Sequence, residues 1–409
     1  MATMKAQQNV KESSQIPWNT LPLHKRIHWI HTVLLTLTPL IAIYGYLTTP
    51  ILTKTLIWSV VYYFMTGIGI TGGYHRLWSH KSYSAALPLQ LAYAFVGAGA
   101  VQGSIKWWSR GHRAHHRHTD TDKDPYSAQK GLLYSHIGWL IMKPEPGAIG
   151  YADTSDLNKD PVVTVQHKYY AYLALFAGFI FPTLVAGFGW GDWRGGYFFA
   201  AVARLVFLHH STFCVNSLAH YLGEQSFDDK HSPRDHIITA LVTFGEGYHN
   251  FHHEFPQDYR NAIKFYQYDP TKWFIRTCSF IGLTYNLKCF PKNEITKGQV
   301  QMAEKKIGDI KKTLNWGKSL NELPRYTFEE YQNKVKESGH AWIVINGIIH
   351  DVADFIEDHP GGQALIKSGI GKDATEAFTG GVYDHSNGAK NLITTMRVGV
   401  IHNPNSKEE

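Results

Sequence analysis

His112-Arg-Ala-His115-His116 and His249-Asn-Phe-His252-His253 are the two stretches that decide how this chain is read. On a helix, positions i, i+3 and i+4 share a face, so each stretch aims three imidazoles in one direction. Two further groups extend the pattern, His75-Arg-Leu-Trp-Ser-His80 and Asn216-Ser-Leu-Ala-His220. Neutral imidazole is a common ligand for iron, copper and zinc. Zinc generally takes four ligands, so these histidines are too many for one ion and suit two metals with four or five nitrogens each. No HExxH motif is present, and Cys214, Cys278 and Cys289 have no CxxC spacing, which disfavours zinc hydrolysis and a disulfide framework alike. Carboxylate di-iron bundles combine a helical Glu from each of two helices with Glu-x-x-His on each of two more. That combined pattern is missing as well, although Glu246-Gly-Tyr-His249 and Glu337-Ser-Gly-His340 carry the spacing singly. A redox-active pair held by histidine alone is what remains, with iron the favoured metal. Isolated histidines such as His31 and His136 read more simply as polar or capping groups near helix ends.

Outward from these clusters the chain is strongly apolar. Segments 30–47, 56–71, 170–188 and 197–219 approach the roughly 20 residues a membrane-spanning helix needs. Lys25 and Arg26 precede the first, which puts the N-terminus in the cytosol under the positive-inside rule. Short links at 48–55 and 189–196 turn each pair into a hairpin, so all four histidine groups fall on one side. Segment 85–101 is borderline, with Pro88, Gln90, Gly97 and Gly99 inside it, and is expected to be embedded or re-entrant. The mean hydropathy of -0.24 averages this apolar half with a polar second half. The net charge of +7 fits basic loops beside spans better than nucleic acid, since no K/R-rich run or nucleic-acid module occurs. Residues 1–27 lack the apolar run of a cleaved signal, so an endoplasmic reticulum address would lie in the spans themselves.

Taken in order, residues 69–84, 108–125, 216–223 and 246–253 resemble the histidine boxes of integral-membrane acyl-CoA Δ9 desaturases. The resemblance is to the fungal type, which carries cytochrome b5 as a C-terminal fusion, and covers nearly the whole chain from about residue 20. It implies two iron ions, with His75, His80, His112, His115, His116, His220, His249, His252 and His253 as ligands and Asn216 reaching one iron through water. It also implies O2 as co-substrate and palmitoyl- or stearoyl-CoA as substrate. The box at 246–253 has His249 as its first histidine, where front-end desaturases typically carry Gln. Removing hydrogen from an unactivated methylene is beyond any side chain, so the metals must carry that step. A bent apolar tunnel would then select the carbons, with Phe64, Met65, Gly67 and Thr71 as candidate walls. Asp120, Asp122, Asp124 and Glu246 are candidates to orient the ligand imidazoles. Lys106, Arg110, Arg113 and Lys143, with Arg117 and Lys123 nearby, are candidates for the CoA phosphates. Lys143-Pro144 stands where animal relatives carry an Arg-Lys pair.

His359-Pro-Gly-Gly362 is weak alone, but strand-like 341–351 precedes it, and Asp373-Ala-Thr-Glu-Ala-Phe378 and His385 follow. This segment resembles cytochrome b5, with His359 and His385 matching the axial ligands of haem b. Phe355, Leu365, Phe378, Val382 and Leu392 would wall the pocket, with 380–383 as a short insertion. Two axial histidines leave no open position for O2, so such a haem transfers electrons. Fusion raises its effective concentration near the metals, and an NADH-cytochrome b5 reductase is the implied donor. Glu357, Asp358, Asp373 and Glu376 would offer it an acidic docking face.

The expected fold is mainly α: four transmembrane helices with a cytosolic helical cap holding a di-iron site, plus a small α+β haem domain. The expected boundaries are a polar tail at 1–27, the membrane domain at 28–290, a connector at 291–322, the haem domain at 323–403 and a tail at 404–409. Two other readings share some of these residues, an acyl hydroxylase with the same metals and a membrane-tethered electron carrier that stores metal.

Overall fold

The structure, a computed structural model, describes residues 18–381 and 383–402. Most of the expected tail at 1–27, the terminal residues 404–409 and the candidate haem-pocket residue Val382 lie outside the described residues. Two compact units divide at Lys305/Lys306, inside one helix, Lys292–Thr313.

Four helices of the first unit are long and apolar enough to cross a membrane: α1 (Trp29–Thr48), α2 (Thr53–Ser79), α5 (Tyr170–Trp190) and α6 (Trp193–Tyr221). They match the four segments expected from sequence but run further at their histidine-bearing ends. Helix α2 continues through His75 to Ser79, and α6 ends one residue beyond His220. The extension of α2 is a π-helical stretch, Gly69–Ser79. Its wider turn matters, because on an α-helix residues five apart diverge by about 140°. Here His80 N–H donates to His75 O at 3.1 Å, closing an i to i+5 turn that brings the two imidazoles to one side.

Segment 85–101 does not span. It forms α3 (Leu87–Ala98), a 12-residue helix begun by Pro88 in its first turn, where a missing N–H costs nothing. Leu89, Tyr93, Ala94, Gly97 and Ala98 are buried while Leu87 and Leu91 are exposed, so the helix lies along α2 with one face outward. Glycine permits that approach. A Cβ on Gly69 would meet Gly97 N at 2.7 Å, and one on Gly97 would meet the Tyr74 ring at 2.5 Å.

Helix α4 (Ile105–His118) starts at Ser104, whose hydroxyl accepts from Trp107 N–H. It buries Ile105, Ser109, His112 and His115, one residue per turn, against α2. Helix α7 (His249–Glu254) is barely two turns long. Its first N–H groups are satisfied from a distance, as Asp235 Oδ1 accepts from Asn250 N and Phe251 N at 2.9 and 3.2 Å.

The second unit has a four-stranded sheet built from β1 (Arg325–Tyr326), β2 (Trp342–Ile345), β3 (Ile348–Asp351) and β4 (Arg397–Ile401), in the order β1-β4-β3-β2. The β2–β3 hairpin turns at Asn346-Gly347, both at positive φ, the signature of a two-residue type I′ turn. One face covers Tyr331, the other Ile356, Ile366 and Phe378.

Candidate metal centre

Nine imidazoles, carried by α2 and the residue after it, α4, α6 and α7, gather into two groups. His75, His80, His112, His116 and His252 form one, and His115, His220, His249 and His253 the other. Within each group the nearest ring nitrogens lie within 4.8 Å of one another. The groups adjoin, since the His116 and His253 rings stack at 4.1 Å. His80 and His253 therefore belong to adjoining groups, as a paired metal centre requires.

The outward nitrogens show how the rings are set. His75 Nδ1 lies 3.0 Å from Glu246 Oε2, and His115 Nδ1 lies 2.9 Å from Asp124 Oδ1. His220 Nδ1 meets Ser232 Oγ at 2.7 Å, and Ser232 donates to Asp120 at 2.6 Å. A carboxylate accepts only, so in His75 and His115 the proton sits on Nδ1 and the Nε2 lone pair faces inward. Those inward nitrogens crowd together. His75 Nε2 is 3.0 Å from His252 Nε2, His252 Nε2 is 3.1 Å from His116 Nε2, and His115 Nε2 is 3.3 Å from His253 Nε2. His220 Nε2 is buried without a hydrogen-bond partner. Burial first, then neighbouring rings, pushes His80, His112, His116, His249, His252 and His253 well below the ordinary imidazole value. Protonation is thus no remedy for converging lone pairs, and a cation is. The residues fit two metal ions with nitrogen ligands.

Three of the four acids singled out in the sequence reach this centre, and Asp122 does not, being exposed on the loop after α4. Asn216 ends the 13-residue α-helical stretch Arg204–Asn216 within α6 and lines the adjoining cavity. Arg76 is the residue that motif spacing did not reveal. Only 1% exposed, it donates to Glu246 at 2.8 Å and to Asp269 at 3.0 and 3.1 Å. Burial alone would raise the Glu246 carboxyl, but Arg76 and His75 outweigh it and hold it at about 2. Tyr126, also buried, places its hydroxyl 3.3 Å from His112 Nδ1.

A cavity of about 610 Å³ reaches the histidines, with His75, His112, His115 and His249 among its lining. That size is ordinary for a small-molecule site. Gly67 and Thr71 line it as expected, whereas Phe64 and Met65 do not and are exposed on the outer face of α2. Among the cationic candidates only Arg110 lines it. Arg113 is committed elsewhere, forked onto Asp156 by two bonds of 2.8 Å. Lys143 Nζ donates to Lys25 O at 3.2 Å, and Lys106 is half-buried on α4.

In the second unit the His359 and His385 rings face each other with centroids 6.4 Å apart. Their Nδ1 atoms meet Gly362 O and Phe378 O, each at 3.0 Å. Carbonyls accept, so both Nε2 lone pairs are free for an iron between them. Phe378 stacks on His385, while Leu365 and Leu392 are exposed on this unit. Glu357, Asp358, Asp373 and Glu376 are all exposed on this unit.

The fatty acid desaturase family profile matches residues 50–287, and the cytochrome b5-like heme/steroid binding domain matches 327–402. A probable acyl-CoA desaturase of Schizosaccharomyces pombe is 54% identical over 397 residues, covering 97% of this chain and 81% of its own. Acyl-CoA desaturase 1 of Saccharomyces cerevisiae is 49% identical over 390 residues, covering 95% and 76%. Stearoyl-CoA desaturase 5 of Homo sapiens is 38% identical over 291 residues, covering 70% and 86%.

Proposed function

This chain belongs to the fatty acid desaturase family, and we propose that it inserts a cis Δ9 double bond into palmitoyl- or stearoyl-CoA, using O2 and electrons from its own cytochrome b5-like domain. It is an oxidoreductase, multi-pass in the membrane, with acyl-CoA as substrate. The observation that carries this reading is the convergence of nine imidazoles into two adjoining groups, four of whose members line a largely apolar cavity.

We assign His75, His80, His112, His116 and His252 to hold one iron, and His115, His220, His249 and His253 to hold the other, with Asn216 as a further candidate, through water, for one of them. When bound, the iron pair supplies O2 activation and removal of two hydrogens from adjacent methylenes, chemistry no side chain provides. Glu246 and Asp124 keep the Nδ1 protons of His75 and His115 in place, so their Nε2 atoms stay available. The apolar cavity wall excludes water and orients the acyl chain. Arg110 stands at the cavity for the CoA phosphates, with Lys106 and Lys143 as further candidates. The domain limits we adopt are 28–290 for the membrane unit and 323–403 for the haem unit.

We further propose that an NADH-cytochrome b5 reductase feeds the haem, and that the chain resides in the endoplasmic reticulum membrane with both termini cytosolic. Lys25 and Arg26 just ahead of α1, and an even number of spans, support that orientation.

The deciding experiment incubates microsomes of a desaturase-deficient yeast expressing this chain with stearoyl-CoA and locates the new double bond. A hydroxylated product would point instead to the hydroxylase reading. An unchanged substrate with no acyl-CoA-dependent O2 uptake would point to the electron carrier. His359→Ala should abolish the haem spectrum, and activity should recover in part when soluble cytochrome b5 is added. Asp124→Asn, which keeps the shape but not the charge beside His115, should weaken iron retention by roughly 10–100-fold. Dialysis against a chelator followed by iron analysis measures this directly.

A further inference from the structure

Arg204 is a cation inside the membrane span α6, 3% exposed, and no carboxylate pairs with it among the described residues. A charge at that depth is expensive and tends to mark function. All of its hydrogen bonds go to main-chain carbonyls. Nε donates to Ala200 O in its own helix at 3.2 Å, Nη1 to Gly99 O at 2.8 Å and Nη2 to Gly178 O at 2.8 Å. The Tyr62 ring covers it at 4.9 Å. Arg204 thus joins two places that regular helix does not hold. Gly99 begins the turn after α3, and Gly178 lies in a π-helical stretch of α5, Phe176–Ile180.

The turn it grips is unusual. Val101 sits there at φ 52, a conformation bulky β-branched residues rarely adopt. Such a conformation persists only where the surroundings over-determine it. His209, also on α6, adds a second tie, with Nε2 donating to Ala100 O at 2.9 Å. Val101 lines the cavity and packs over Gly178, where any added Cβ would meet Val101 Cγ2 at 2.8 Å. The two carbonyls held by Arg204 therefore flank one side chain in the cavity wall.

We propose that Arg204 is a positioning residue for the acyl chain, fixing Val101 in the cavity wall and so deciding which pair of methylenes faces the histidine groups. The proposal rests on the acyl-CoA desaturase reading. Successive methylenes are chemically alike, so only the shape of the wall distinguishes one from the next, and a fixed wall is needed to do it.

The test uses the full chain in microsomes with stearoyl-CoA, measuring the position of the double bond as well as yield. The variants are Arg204→Met, Arg204→Lys and Val101→Gly, the last placing glycine where φ is already positive. Discrimination between neighbouring positions should fall by roughly tenfold or more in Arg204→Met and Val101→Gly. Arg204→Lys, which keeps a charge and one carbonyl tie, should be intermediate. Variants that lose yield but keep the single double-bond position of the parent would overturn the proposal. Should Arg204→Met fail to accumulate, Val101→Gly alone decides. A parent chain that makes no unsaturated product sinks the desaturase reading itself, and this proposal with it.

Discussion

His252→Ala is expected to bring desaturation below detection and to lower non-haem iron from two per chain towards one or none, with the haem spectrum intact. His252 Nε2 lies 3.0 Å from His75 Nε2 and 3.1 Å from His116 Nε2, so it sits between two other members of its group. Its ring also packs against His80 and His112. The nearby imidazoles of His249 and His253 already belong to the other group. Alanine leaves a buried gap lined by imidazoles rather than a rearranged site. Iron analysis, corrected for haem by its absorbance, gives the stoichiometry, and product analysis gives the activity. The haem ligands His359 and His385 belong to a separate compact unit, which is why the spectrum should survive. Two retained irons together with normal product would remove His252 from the ligand set and with it the assignment of its group.

The legibility of this centre in the sequence was uneven, for physical reasons. His112, His115 and His116 were readable because α-helical spacing alone puts them on one face, and His249, His252 and His253 likewise. His75 and His80 were recognisable only as a motif. Their spacing of five fits no α-helical face, and the π-helical turn that reconciles it leaves no mark in composition. The spans were legible from hydropathy, but their inner ends were not. Residues 72–79 are polar enough to look like a loop, yet their backbone continues the helix, buried against α3 and α4. Phe64 and Met65 were misplaced as cavity walls because an apolar residue on a span can face lipid as easily as substrate. Only the neighbours of α2 settle which. Arg113 likewise read as a free cation until the fold brought Asp156 beside it. Interactions between residues far apart in sequence were the part that spacing could not supply.

Arg76 shows this most clearly, and its removal should be among the most damaging single changes in the membrane unit. Its guanidinium donates to Glu246, to both oxygens of Asp269 and to Tyr259 O, all within 3.1 Å. Asp269 in turn accepts from the N–H groups of Asn261 and Lys272, and Asn261 donates to Glu246. One side chain from the first histidine box therefore fastens the third box and the segment behind it. Arg76→Met leaves two buried carboxylates without the cation they share, a change that costs about 3–5 kcal/mol for a broken buried pair. The protein in detergent should melt at a clearly lower temperature. Arg76→Lys keeps the charge but not the planar fork, and cannot satisfy both acids at once, so it should fall between. A double variant, Arg76→Met with Glu246→Gln, removes one of the stranded charges. It should regain part of the lost stability relative to Arg76→Met, the sign of direct coupling in a double-mutant cycle. Iron in the first group should not recover, because Arg76 no longer braces the residue that holds His75. If Arg76→Met melts like the parent and keeps its full iron, the network is ornamental and His75 is positioned by packing alone.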